Sequence, residues 1–590
     1  MANLMKGFRI GYIWRWITLG ALIGVVSGFG AIVFNYLLHL CFNLFMGELV
    51  GYTPPASPAT LVEFLRTIPF QRGMFFIVPA VGGLISGMLV FSIAPEAEGH
   101  GTDAMIEAIH RKRGIIRKRV PLVKLVASAI TIGSGGSAGK EGPIAQIGSG
   151  FGSYLASVLR LSERDRRIMV LAGAAGGLGA IFKAPLGSAL FAVEVLYKEP
   201  EFEYDGILPC ILASIVGYSV FVSYSGVETL FHTPTVQFSN PMELLFYAAF
   251  GVACAVVGII YVQFFYGVRD RFFRKIPIDN RFKPAIGGLL LGALGFCFPQ
   301  VLGGGYEWIQ LTIDGHMATR MLLILAFGKI LATGFTISSG GSGGVFAPSL
   351  FIGAMLGGAF GQFFAKLFPH IITNPSALVL VGMGGFFAGV AKVPIASLIM
   401  VAEMTGSYTL LVPMMLVSTL TYLLTGRSSL YENQVMTRLD SPAHIGDFAV
   451  DILEHVSVRR AMAKSQKPDF IPETMPFRDM VRLIADSTNS YFPVVNDKGE
   501  MTGILSLTDI RGVAFEDVLS DLVIAKDIAT ENVVTITPAD NLSTAIKKLT
   551  SANVSQIPVV SPDNPRKVLA MLSRHDIIMA YYREMERLHR

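Results

Sequence analysis

Long apolar runs separated by short polar loops extend from the start of the chain to about Leu424, and beyond that point the sequence turns polar. The run 17–45 can cross a hydrocarbon layer of about 30 Å at a strong tilt. It is too long for the apolar core of a signal peptide. A second full span is predicted at 74–94. The next apolar segments, 121–132, 143–159, 168–181 and 185–197, are short and interrupted by glycine and proline. Each falls below the ~20 residues that a crossing needs. Such helices are tolerated at membrane depth only when other helices surround them or when they line a cavity. The segment 207–223 comes nearer to a full span, 242–268 completes one, and a second broken series fills 284–424. The pattern predicts an all-α polytopic membrane domain over 1–437, followed by a soluble tail.

Charge orients this layout. Lys6, Arg9 and Arg15 precede the first span, and RKRGIIRKR (111–119) follows the second. Another basic loop, with Arg269, Arg271, Arg274, Lys275, Arg281 and Lys283, follows 242–268. Positive loops stay in the cytoplasm, so the N-terminus and the tail are expected there. Only 15% of the 590 residues are charged, against roughly a quarter in soluble proteins. The net charge of +5 is too mild to suggest a nucleic-acid partner. Cys41, Cys210, Cys254 and Cys297 stand singly in apolar segments and read as buried small hydrophobes, with neither metal nor disulfide spacing.

The two broken series repeat each other. GGSAGKEGP (135–143) returns as GGSGGVFAP 205 residues on, and KAPLGSALFAVE (183–194) returns as KVPIASLIMVAE 209 residues on. Paired broken helices in a repeated membrane protein mark a substrate site near the midplane. Each Gly-rich turn frees backbone N–H groups at a new helix start, where the helix dipole supplies partial positive charge. Such ends hold an anion loosely enough for passage, whereas a ring of full charges holds it too tightly. The competing role for these glycines is close helix packing. A nucleotide phosphate loop does not fit, since Ser134 stands where glycine is required and Glu141 where Ser or Thr must follow the lysine. Glu141 is the sharpest residue, because a carboxylate at membrane depth is costly and points to function. Ionised, it takes an anion's place; protonated, it swings away carrying a proton. No nucleophile–base pair or metal-ligand set stands in the membrane part, which points away from an enzyme.

GKEGP (139–143), GGVFAP (343–348) and Tyr431 resemble the CLC chloride channel and transporter family. The resemblance implies two inverted repeats of broken helices and a homodimer with one anion pathway per subunit. By motif, Glu141 resembles the external gating glutamate, while the amides of Val345 and Phe346 and the hydroxyl of Tyr431 contact the central anion. The family's Gly-Ser-Gly-Ile-Pro corresponds to Gly99-His100-Gly101-Thr102-Asp103, which places His100 and Gly101 at the anion and a histidine where serine is usual. Proton-coupled members often carry a cytoplasmic-side glutamate at the position of Val195, and valine cannot relay a proton. Glu194 and Glu403 occupy equivalent places in the two halves and read as structural.

The tail contains a repeat of its own: YFPVVNDKGEMTGILSLTDI (491–510) parallels QIPVVSPDNPRKVLAMLSRHDI (556–577). Each copy reads as a short buried strand, a turn, a second strand and a helix, and resembles a cystathionine-β-synthase-type (CBS) domain. The two copies divide the tail into 438–518 and 519–590, an α/β regulatory pair. The resemblance implies an adenine nucleotide held through Ser506 and Asp509, and through Ser573 and Asp576; the residues alone also fit helix caps. Together these features predict a voltage- or pH-gated chloride channel, gated by Glu141 and regulated by the tail, needing no cofactor. A proton/chloride antiporter on the same scaffold is the alternative. A CBS-regulated metal-ion transporter is a third reading, but it needs intramembrane carboxylate clusters where this chain offers glycine and backbone amides.

Overall fold

In the computed structural model the residues described are 2–55, 60–61, 71–233, 238, 240–444, 453–462, 468–487, 489–513 and 523–588. They form two compact units, Met1–Ala443 and His444–Arg590.

The first unit is built from helices. The chain runs α1 (Ala2–Phe42), α2 (Met74–Ile93), α3 (Thr102–Arg111), α4 (Arg119–Gly133), α5 (Glu141–Val158), α6 (Glu163–Phe182), α7 (Pro185–Glu194) and α8 (Tyr204–Ser225). It continues through α9 (Glu243–Arg271), α10 (Lys283–Cys297), α11 (Tyr306–Ile313), α12 (Thr319–Ile337), α13 (Phe346–Leu367), α14 (Ser376–Ala391), α15 (Pro394–Thr405) and α16 (Leu411–Leu424). Among the described residues, six helical stretches are long and apolar enough to cross a bilayer, including Trp14–Val50, Tyr204–Ser225 and Phe346–Leu367. The last two, together with Thr319–Ile337, correct the sequence expectation, which placed 207–223 just short of a span and 319–337 and 346–367 among the broken segments. Glycines in α13 do not break it. Gly353 rests on the Gly382 backbone of α14, and Gly148 of α5 meets Gly173 of α6 in the same way. Small residues here let helix backbones touch. Leu245, Leu423 and Leu122 lie 65%, 63% and 61% exposed, an apolar exterior suited to lipid rather than water.

Equivalent residues in the halves make reciprocal contacts, which places an approximate two-fold axis between them. The buried Lys124 donates to the carbonyls of Ala97 (3.0 Å) and Gly99 (2.6 Å). Its mate Lys329 donates to those of Val301 (3.0 Å) and Gly303 (2.7 Å). Gly135 and Gly340 turn the chain at φ +97° and +101°, a region that strains other residues, and so break the helices at matching points. Glu194, ending α7, accepts N–H bonds from Ile395 (3.1 Å) and Ala396 (2.6 Å) at the start of α15. Glu403 of α15 accepts them from Leu186 (3.1 Å) and Gly187 (2.8 Å) at the start of α7. Each carboxylate thus covers the free amides of its mate's helix, the structural role read from their equivalence.

In the second unit, β1 (Ile471–Pro472) pairs parallel with β2 (Tyr491–Val495), which pairs antiparallel with β3 (Met501–Ser506). The second copy pairs β4 (Gln556–Val560) with β5 (Val568–Ser573). The register repeats, with Tyr491 opposite Ser506 and Gln556 opposite Ser573, and both hairpins carry an irregularity at the closing valine pair. Helices Leu507–Val513 and Arg574–Leu588 follow the hairpins. Val456, Val458 and Ala461, which precede the first hairpin, pack in the core of the second copy with Leu542 and Ile557.

Candidate anion pathway

Two helix starts and one carboxylate build the site. In α5 the first helical hydrogen bond runs from the Ile144 N–H to the Lys140 carbonyl (3.1 Å). The amides of Glu141 and Gly142 therefore precede the ladder, at the positive end of the helix. In α13 the first bond runs from the Ser349 N–H to the Val345 carbonyl (3.1 Å), so Phe346 and Ala347 stand in the same condition. Gly139 and Gly344 exchange N–H bonds of 2.8 and 2.7 Å, which fixes the two starts side by side.

Glu141 is buried, 1% exposed. Its carboxylate folds over its own loop: a methyl group on Gly139 would strike Glu141 Oε2 and lie 2.9 Å from the Ala347 Cβ. A side chain at position 139 would push the carboxylate out of that space, which lies beside the start of α13. Glu141 Oε1 accepts a hydrogen bond from the Tyr306 hydroxyl. The carboxylate therefore lies beside two helix starts, whose free amides carry partial positive charge.

A small enclosed pocket adjoins this carboxylate and is shared by Thr102, Glu141, Val345, Phe346 and Tyr431. Phe346 is held there by the rings of Phe182 and Phe387, at 4.6 and 4.4 Å between centroids. The Tyr431 side chain lies against that of Thr102, and its ring centroid is 5.4 Å from that of His100. His100 and Gly101 belong to the next compartment. They line a cavity of about 740 Å³ that also meets Arg117, Arg269, Arg274 and Lys283 from the two basic loops. Residues 100–102 form the partition between cavity and pocket. The structure thus gathers Glu141, Val345, Phe346 and Tyr431 at one point and sets His100 and Gly101 one step away.

Sequence reasoning missed Thr102 and Tyr306. A signal for both existed: Gly99-His100-Gly101-Thr102-Asp103 returns as Gly303-Gly304-Gly305-Tyr306-Glu307, 204 residues on. Val195 is fully buried, and its carbonyl accepts from Gln434 Nε2 (2.9 Å). In the tail, Asp509 Oδ2 accepts from the Ser506 N–H and hydroxyl (2.8 and 2.7 Å), and Asp576 Oδ2 from those of Ser573 (2.9 and 2.6 Å). These four residues pair as helix-start caps in both copies.

Broken helices in two halves that aim their amides at one buried point define a membrane transporter or channel for a small anion. The family model described as voltage gated chloride channel matches residues 82–426, and the CBS domain model matches 458–516 and 525–583. This chain belongs to the CLC family, with an all-α membrane domain of two inverted repeats and a C-terminal CBS pair. It is 30% identical over 413 residues to the H(+)/Cl(-) exchange transporter ClcA of Vibrio campbellii, covering 68% of this chain and 84% of that one. The ClcA exchange transporter of Salmonella agona is 31% identical over 405 residues, covering 68% and 82%. Among solved structures, a slow cyanobacterial Cl-/H+ antiporter matches with a TM-score of 0.61 at 21% identity, over 70% of this chain and 94% of that one. A eukaryotic CLC transporter matches with a TM-score of 0.57 at 19% identity, over 96% of this chain and 98% of that one.

Proposed function

We propose that this protein exchanges chloride for protons across a membrane, with Glu141 as both gate and proton carrier. The observation that carries the reading is the Glu141 carboxylate lying across the starts of α5 and α13. There it competes with an anion when charged and yields the place when protonated. The names of the ClcA relatives support exchange over the gated channel that the sequence expectation put first. One feature favours the channel: Val195 offers no proton relay where proton-coupled members often carry a glutamate. Chloride is proposed to pass the basic cavity, the neck at His100 and Gly101, and the pocket of Val345, Phe346 and Tyr431. We place both termini in the cytoplasm by the two basic loops, and take the working unit to be a homodimer with a pathway in each subunit. The tail is proposed as a regulatory module, with an adenine nucleotide at Ser506 and Asp509 or Ser573 and Asp576 as its ligand.

The test is chloride and proton flux recorded together from protein in liposomes. A chloride gradient that drives protons uphill supports exchange; chloride flow with no proton movement establishes the channel instead. Glu141→Gln is expected to keep chloride flux and abolish proton movement, and proton transport at the wild-type rate in that variant removes Glu141 from the role.

A further inference from the structure

Tyr306 opens α11 in the second half and reaches across to the first, where its phenol donates to Glu141 Oε1. Its approach is fixed from several sides. The loop ahead of it is tied by Lys329, which is fully buried and donates to the Val301 and Gly303 carbonyls. Gly305 turns the chain at φ +81°, directing the helix start inward. The Lys140 ammonium stands 5.4 Å from the tyrosine ring centroid, and the Phe231 ring 6.1 Å from it. Tyr306 as a whole is half-buried. Its repeat mate, Thr102, lies against Tyr431 and lines the pocket beside Glu141. One station in each half therefore supplies a hydroxyl to the pathway, and only the one from the second half meets the carboxylate.

We propose that Tyr306 is the latch of the gate: its hydroxyl holds the Glu141 carboxylate across the helix starts, and chloride turnover is limited by release of this bond. Tyr306 is a positioning residue acting through Glu141, so the proposal rests on the gate reading given above. A hydrogen bond to a charged group is among the stronger ones in a protein, and a low-dielectric site strengthens it. A phenylalanine has the same ring without the donor, so Tyr306→Phe removes the latch and keeps the packing against Phe231 and Lys140.

The experiment uses the full chain in liposomes, with chloride and proton flux recorded in parallel. Tyr306→Phe is expected to raise chloride turnover by about tenfold, the order set by one such bond, and to lower the protons moved per chloride. In a Glu141→Ala background there is nothing to hold, and adding Tyr306→Phe is expected to change chloride turnover by less than about twofold. The same change in both backgrounds, or no rise from Tyr306→Phe alone, overturns the latch and makes Tyr306 part of the scaffold. Should the phenylalanine variant fail to assemble, Glu141→Asp draws the carboxylate back by one methylene and is expected to give the same gain; a loss there overturns the latch too. If Glu141→Ala still moves protons with chloride as the unaltered chain does, the gate reading itself fails, and the latch with it.

Discussion

At Gly139 a hydrogen atom takes the place of a side chain because the Glu141 carboxylate already fills that space. Gly139→Ala is therefore expected to displace the carboxylate and uncouple protons from chloride, as Glu141→Gln does. Flux ratios measured side by side for the two variants check this, and tight coupling in Gly139→Ala contradicts it. At the neck, the His100 ring lies next to that of Tyr431. His100→Ser is expected to alter the chloride-to-nitrate flux ratio, since the groups lining a narrow pathway set its selectivity; an unchanged ratio takes His100 out of the anion path. Glu141, Val345, Phe346 and Tyr431 were legible in the sequence because two short motifs and one tyrosine name them. Tyr306 was not, because its contact with Glu141 spans 165 residues and depends on how one half folds against the other. The repeat of GHGTD as GGGYE held the missing hint, but the two blocks share little beyond glycine.

Helix boundaries followed glycine and proline in most places, and one of the failures is instructive. In α13, Gly353, Gly357, Gly358 and Gly361 suggested interruption, yet they serve contact with α14 and its neighbours, and the helix runs 22 residues. A glycine breaks a helix where the chain must take a positive φ, as at Gly135 and Gly340, and otherwise lets a neighbour approach. Composition alone cannot separate these uses. The crossed carboxylates give a stability prediction at this scale. Glu194→Ala leaves the amides of Ile395 and Ala396 buried without partners, at about 1–3 kcal/mol for each orphaned group. Glu403→Ala is expected to cost less, because Glu403 is only partly buried where Glu194 is fully so. Thermal unfolding in detergent compares them, and equal losses would show that burial does not set the cost.

The two compact units have separate cores, the tail's being built on residues such as Phe492 and Leu505 in one copy and Ile557 and Leu572 in the other. A chain ending at Ala443 is expected to keep proton-coupled chloride flux and lose whatever control the tail exerts; loss of flux with normal assembly would make the tail part of the transport machinery. In the tail, the doubled hairpin register was legible from the doubled PVV strands. The packing of 456–461 in the second copy was not, because nothing local distinguishes the two cores. Asp576→Ala is expected to weaken adenine-nucleotide binding measured by calorimetry, and an absence of heat with the unaltered chain removes the nucleotide from the account.

The crossed carboxylates also bear on how the molecule is made. A ribosome delivers Glu194 long before Ile395 and Ala396, so the early half waits in the bilayer with an acid that has found no recipient. Two fragments parted between α8 and α9 are thus expected to be inert when synthesised alone and to regain transport when produced in one cell, each completing what the other lacks.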